Sequence, residues 1–372
     1  MSLGIYVHIP FCKAKCLYCD FNSYSGMDAY QEAYLKALQK EIESKKDSRK
    51  VDSLYIGGGT PTVLKAESLV QILSILRGNF VFSPDCEITV ECNPATMQEE
   101  GFRILKEGGF NRLSIGLQSS NDDELRALGR IHSFEEFSIC YKEARKAGFE
   151  NISLDLMYGL PGQTMERWKK SLEDAISFHP EHISCYGLKL EEGTPLFFQN
   201  PILPDEDAFA EFYETCVNDL AEQGYERYEI SNFSLPGKES RHNCKYWQCN
   251  DFIGFGAGAY SCVNDERYAN INSIPTYCSY IESGKSVVEE ITTLSLKDKM
   301  SEFCFLGLRM SNGISQQEFK ERFHQSIEDV YGEVLTKNLR RGTLLRLGDR
   351  IFIPSQFLYV SNSILVDFIE PF

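Results

Sequence analysis

"HIPFCKAKCLYCDF", residues 8–21, places Cys12, Cys16 and Cys19 within eight positions, spaced C-x3-C-x2-C. The trio directly follows "LGIYVHI", residues 3–9, where Leu3, Ile5, Val7 and Ile9 alternate onto one face as in a β-strand. Packing has no need for clustered thiols. A structural zinc site usually takes four ligands, often as two separated Cys-x-x-Cys pairs. No second pair is present here, and Cys244 and Cys249 join only if the fold brings them back. A disulfide is not expected in a reducing compartment. Thiolates suit iron, and three cysteines can ligate three irons of a [4Fe-4S] cube. The fourth iron is then open to a small molecule.

The chain has 372 residues, enough for one large α/β domain with or without a smaller one, and a formal net charge of -16. That balance argues against non-specific binding to nucleic acid or an anionic membrane. No apolar run approaches the roughly 20 residues of a spanning helix, and no signal peptide precedes the first strand. Peripheral membrane association stays compatible with the sequence. The 13 cysteines are odd in number, which with no secretion signal points to reduced thiols and a cytoplasmic protein. Cys86, Cys140, Cys185, Cys216, Cys278 and Cys304 stand singly in apolar patterns and are expected in the core.

Outward from the thiols, strand-like and helix-like segments alternate. "VDSLYIGGGTP", "CEITVECNP", "FNRLSIGLQS", "NISLDLMYGLPGQT" and "HISCYGLKLEEG" read as strands, each followed by a helix pattern. About six βα units result, which implies a parallel sheet with right-handed crossovers, doubly wound or a barrel. Polar residues and glycines gather at the strand ends: the cysteines, Gly57-Gly58-Gly59, Glu91, Gln118 and Asp155. In either architecture the site forms at the carboxyl ends of the strands. After about residue 285 the texture changes to two helices, a further helix and a hairpin around Gly348-Asp349. The expected division is 1–285 and 286–372, the second a small α+β unit resembling a winged helix. The acidic chain makes DNA an unexpected partner despite "KNLRR" at 337–341.

"YVHIPFCKAKCLYCDF", "YIGGGTPT", "ECNP", "SIGLQS", "LGRIH" and "DLMYGLPGQT" together resemble the radical S-adenosylmethionine proteins. Within that superfamily they are similar to the coproporphyrinogen-dehydrogenase subgroup and its relatives, the HemW heme chaperones. The resemblance covers nearly the whole chain. It implies a partial (β/α)6 radical-SAM barrel followed by a small C-terminal α+β domain of the HemN type. It also implies a [4Fe-4S] cluster on Cys12, Cys16 and Cys19. S-adenosylmethionine would chelate the fourth iron through its amino and carboxylate groups. A reductant protein would supply the electron that cleaves the sulfonium to a 5′-deoxyadenosyl radical. The positions matching the family's S-adenosylmethionine contacts are Tyr6, Tyr18, Gly58, Gly59, Thr60, Glu91, Gln118, Arg130 and Asp155. Glycines let the backbone approach a ligand closely. Carboxylates and a glutamine can bind ribose hydroxyls, and arginine can grip a carboxylate by two hydrogen bonds. His8 is expected to orient the cysteine loop rather than bind iron.

Two functions compete within the resemblance. One is oxygen-independent oxidative decarboxylation of coproporphyrinogen III. The other is carriage of heme, as cargo, to heme-accepting proteins. A radical enzyme with another substrate is a third class. The dehydrogenase pattern continues with a fourth cysteine two residues after the last ligand, where this chain has Phe21. The dehydrogenase also carries an N-terminal arm, whereas here the first strand begins by about residue 3. "HNCKYW", residues 242–247, matches the HNxxYW motif associated with heme binding in the chaperones. A neutral imidazole can ligate heme iron and aromatic rings can cover a porphyrin face. His242 is therefore the expected heme ligand, with Cys244 and Cys249 as alternative thiolates. The glycines of "DFIGFGAGAYS" are expected to admit a flat ligand. These features favour the chaperone.

Overall fold

The structure is a computed structural model that describes residues 2–369. Six strands follow the alternating stretches: β1 Leu3–Ile9, β2 Lys50–Gly58, β3 Val81–Cys92, β4 Arg112–Gln118, β5 Ile152–Tyr158 and β6 His182–Gly187. They pair in parallel, each with the next in sequence. Helices Gln31–Ser44, Ala66–Asn79, Glu99–Gly108, Phe134–Lys146 and Met165–Ser177 make the crossovers.

Alternation along the strands decides what lies on each side. Ile5, Val7, Leu54, Ile56, Val90, Leu113, Ile115, Leu154 and Leu156 are sealed under the helices and form one continuous core with them. Each such side chain contributes about 1.5–3 kcal/mol by leaving water. The intervening positions, among them Tyr6, Tyr55, Thr89, Arg112, Ser114, Asp155 and His182, belong to the other face. A closed eight-stranded barrel fills its interior with branched apolar side chains. This one keeps a polar interior, which a solvated or ligand-filled barrel requires.

The six-stranded barrel is partial, because β1 and β6 do not pair with each other. Beside β6 lie Asn232–Ser234 and then Glu226–Arg227, both antiparallel. Beside β1 lies Phe252–Phe255, in parallel, followed by the antiparallel strands Tyr260–Val263, Glu266–Asn270 and Val288–Thr293. The large sheet thus runs past residue 285. This placement changes the meaning of the glycines in "DFIGFGAGAYS". A Cβ on Gly254 would stand 2.1 Å from the Tyr260 carbonyl oxygen, and one on Gly256 2.3 Å from the Tyr34 hydroxyl. Those two glycines admit neighbouring backbone and side chain, not a flat ligand, whereas Gly258 lines a groove with Phe252 and Tyr260.

Helix Arg241–Trp247 floors the barrel at the amino ends of the strands. Its first backbone N–H groups, of Arg241 and His242, donate to Glu87. Lys245, 4% exposed at its side chain, pairs with Asp52 at 2.7 Å. The C-terminal segment holds helices Leu296–Gly307, Gln316–Phe323 and Ile327–Arg341 and a three-stranded sheet of Ile314–Ser315, Leu345–Leu347 and Arg350–Phe352 around a separate apolar cluster. It touches the floor: Arg309 lies over the Trp247 ring at 4.7 Å, and Glu229 bridges to Met310. No helix among the described residues is long and apolar enough to cross a membrane.

Candidate functional site

The cysteine loop leaves β1 and is held by the scaffold at several points. Leu17 donates its N–H to the Leu128 carbonyl and accepts from Leu196 N–H, at 3.0 and 2.8 Å. His8 Nε2 lies 2.8 Å from the Asn22 carbonyl oxygen, which can only accept, so Nε2 carries the proton. His8 Nδ1 is then the acceptor for the Tyr6 hydroxyl at 3.0 Å. Burial lowers the His8 pKa, in keeping with a neutral ring. Its role is to tie the loop's far end to β1.

The glycine turn after β2 closes on the same loop. Gly59 and Thr60 donate their N–H groups to Ile9 and Phe11 carbonyls at 2.9 and 2.8 Å. Gly58 sits at φ +118°, and a Cβ there would stand 2.7 Å from the His8 ring. A Cβ on Gly59 would meet the Cys12 sulfur at 2.9 Å. Glycine is required at both places by contact with the thiol loop.

All three thiols line one cavity of about 380 Å³ at the carboxyl ends of the strands. Each sulfur lies within reach of a hydrogen-bonding side chain: Cys12 with Thr60 at 3.8 Å, Cys19 with Ser23 at 3.8 Å, and Cys16 with Arg130 Nη1 at 3.4 Å. Hydrogen bonds and a nearby cation stabilise thiolates and support them as ligands. They matter here because burial pushes the Cys12 and Cys19 thiols upward. Among the described residues, no group of three His, Cys, Asp or Glu side chains forms a ready single-ion site. Thiols spread around a cavity suit a cube better, since each binds a different iron. The residues present therefore fit a [4Fe-4S] cluster. Such a cluster, when bound, supplies electrons and an open iron.

The same cavity gathers Tyr18, Gly58, Gly59, Thr60, Glu91, Gln118, Arg130 and Asp155, which are far apart in sequence. Tyr6 stands just outside it, facing a neighbouring groove. Glu91 accepts from the Tyr55 hydroxyl at 2.9 Å and the Gly58 N–H at 3.0 Å. Burial nonetheless raises its pKa to about 7. Asp155 accepts from Ser114 at 3.2 Å and is likewise raised, chiefly by burial. Gln118 ends β4 at φ +68°, a left-handed conformation rare outside glycine, beside a register shift that re-aims its side chain. Arg130 donates to the Gly116 carbonyl at 2.7 Å while its Nε has no partner. A guanidinium, two carboxylates and a strained amide converging on one cavity can hold a polar, zwitterionic ligand.

His242 lies elsewhere. It is buried in the floor with Nδ1 3.0 Å from Ser53 Oγ and Nε2 2.8 Å from the Tyr246 hydroxyl. Its ring stacks under Tyr55 at 5.6 Å. Burial, with the charges of Lys245 and Arg112, lowers its pKa to about 3. The imidazole is neutral, as a ligand must be, but neither nitrogen is free. Cys244 faces the outer side of the floor, and Cys249 lies beyond the helix. Residues that motif reading passed over are Tyr55, Arg112, Asn93, Asn243, His182 and Tyr186, all lining the cavity. The strand alternation carries the signal for Tyr55, two residues before Gly57, and for Arg112, two before Ser114.

The sequence profile of the radical SAM superfamily matches residues 6–175, and that of the HemN C-terminal domain matches residues 294–356. The chain is 35% identical to the heme chaperone HemW of Bacillus subtilis, covering 98% of both chains. It is 36% identical to the heme chaperone HemW of Lactococcus lactis, over 98% of this chain and 96% of the relative. Its fold superposes on Escherichia coli coproporphyrinogen III oxidase, HemN, described as a radical SAM enzyme, with a TM-score of 0.87 at 24% identity, covering 100% of this chain and 91% of that one. A cluster-compatible thiol loop, a partial barrel and relatives spanning the full fold agree: this chain belongs to the radical SAM superfamily, in its HemN/HemW-like subgroup.

Proposed function

We propose that the chain is a HemW-like heme chaperone. It holds a [4Fe-4S] cluster on Cys12, Cys16 and Cys19, and S-adenosylmethionine on Tyr6, Tyr18, Gly58, Gly59, Thr60, Glu91, Gln118, Arg130 and Asp155. Heme is its cargo, passed to acceptor proteins, and a reductant protein serves the cluster. All 13 cysteines are free, which supports a reducing, cytoplasmic setting. We divide the chain after Val288–Thr293 rather than at residue 285, because that strand extends the large sheet.

The observation that carries the reading is a second cavity. A groove of about 830 Å³ adjoins the thiol cavity, sharing Phe21, Gly58 and Glu91 with it, and is lined by Tyr6, His8, Tyr246, Phe252 and Tyr260. Aromatic walls suit a flat macrocycle. Tyr246 belongs to the "HNCKYW" motif. His242 meets this groove's lining at Tyr6, on which it stacks, and at Tyr246, which its Nε2 bonds, so ligation by His242 requires the Tyr246 hydroxyl to swing away from Nε2.

Coproporphyrinogen III dehydrogenation is the second reading, favoured by the shared fold and cofactor set. Turnover of coproporphyrinogen III by anaerobically reconstituted, cluster-loaded protein separates the two. Heme carriage predicts no protoporphyrinogen IX. It also predicts a saturable heme titration that Tyr246→Ala weakens about tenfold, the loss of one good aromatic contact and its hydroxyl.

A further inference from the structure

Arg112 opens β4 and points into the barrel. It is 2% exposed, and it lines the thiol cavity near its deep end together with Ser114, Ser153, His182, Ser184 and Asn243. Among the described residues, no hydrogen bond or ion pair reaches its guanidinium, and its Nε is buried without a partner. The contrast with the other fully buried cation is direct: Lys245 is neutralised by Asp52 at 2.7 Å. The acids nearest in the barrel are committed elsewhere. Glu91 accepts from Tyr55 and Gly58, and Glu87 from the backbone of Arg241 and His242; Asp155 accepts from Ser114 and attracts Arg112 electrostatically, but makes no hydrogen bond or ion pair with it. A buried guanidinium whose donors are unpaired is destabilising, and attraction to Asp155 leaves those donors unpaired, so its retention asks for an acceptor that the chain itself does not supply.

A guanidinium presents a planar fork that matches a carboxylate by two parallel hydrogen bonds. Asn243, on the cavity wall, offers a further donor. We propose that Arg112 anchors a carboxylate-binding site deep in the barrel, beneath the thiols. Its ligand is either a free short-chain carboxylate or a carboxylate arm of a larger molecule entering from the cavity mouth. The second source rests on the heme-carriage reading, since heme bears such arms; the first does not.

Two probes on full-length, cluster- and S-adenosylmethionine-loaded protein decide the matter. Thermal melts in sodium propionate, against sodium chloride at equal ionic strength, test the free source. Titration with heme and with heme dimethyl ester tests the arm. A propionate-dependent rise of several degrees in wild type, absent in Arg112→Gln and reduced in Arg112→Lys, supports a free carboxylate. A tenfold preference for heme over its ester in wild type, lost in Arg112→Gln, supports the arm. Without ligand, Arg112→Gln should melt at or above wild type, because it removes a buried guanidinium that no hydrogen bond or ion pair holds. The ester comparison within wild type needs no variant. If wild type binds neither heme nor ester, heme carriage fails while the propionate melts still judge Arg112. The proposal is overturned if wild type and Arg112→Gln respond alike to both probes. It is also overturned if ligand-free Arg112→Gln melts well below wild type, which would mark Arg112 as structural.

Discussion

At the mouth of the barrel the Cys16 sulfur meets Arg130 at 3.4 Å, and Arg130 Nε and Asn93 Oδ1 are left without partners. At the floor Lys245 has Asp52, and both nitrogens of His242 are engaged. The two ends use similar polar side chains under similar burial. What differs is whether the chain satisfies them itself. Lys245 and Asp52 hold each other, Ser53 holds His242, and together they define the barrel's shape, with Arg112 and the Trp247 Nε1 as the exceptions at this end. Mouth groups are left under-partnered and depend on what binds there. The comparison also shows why a motif histidine and a motif cysteine carry unequal weight, since only the cysteines are presented to a cavity.

The strongest way to break this contrast is at the thiols. Cys12→Ala should abolish cluster assembly, read as iron content and visible absorbance after anaerobic reconstitution, and leave the far-ultraviolet circular dichroism unchanged. Loss of fold instead would make the mouth a structural region. Next, His242→Ala should destabilise the protein by about 2–4 kcal/mol, the sum of a buried cavity and two broken hydrogen bonds, measured by urea unfolding. Unchanged stability with lost heme binding would move His242 from floor to ligand.

Glu91 sharpens the picture through pH. Its folded pKa of about 7 lies above the ordinary carboxyl value, so the folded state binds more protons than the unfolded one between those values. Stability from this group therefore falls as pH rises from about 4.5 to about 7, with a slope of at most about 1.4 kcal/mol per pH unit. Glu91→Gln should remove that slope, as read from unfolding free energies across the window. The smallest effect is expected at Phe21, which is 64% exposed at the cavity rim. Phe21→Cys should change stability by no more than about 0.5 kcal/mol. Gain of coproporphyrinogen turnover in that variant would show that the fourth cysteine alone separates carrier from enzyme.

Local pattern made much of this legible. The period-2 run of β1, the thiol spacing and the polar strand ends are short-range signals, and they lead to the partial barrel and its mouth. The failures are long-range. Gly254 and Gly256 look like ligand-facing glycines until Tyr260 and Tyr34 are seen against them. His242 looks like a free imidazole until Ser53, 189 residues away, is seen to hold it. Arg112 looks like the polar start of a strand, because nothing in a linear sequence shows that no acid will reach it.

The parallel pairing of β1 with Phe252–Phe255 bears on biosynthesis. Phe252 follows its partner Gly4 by 248 residues. At about 5–20 residues per second, the ribosome delivers the second strand roughly 10–50 s after the first. Through that interval one edge of β1 has no neighbour, and an unpaired apolar edge invites pairing with other chains. The thiol loop hangs from this same strand. A nascent chain therefore carries its cysteine loop on an incomplete sheet, and the orderly time to load a cluster there is after the first two-thirds of the protein has been made.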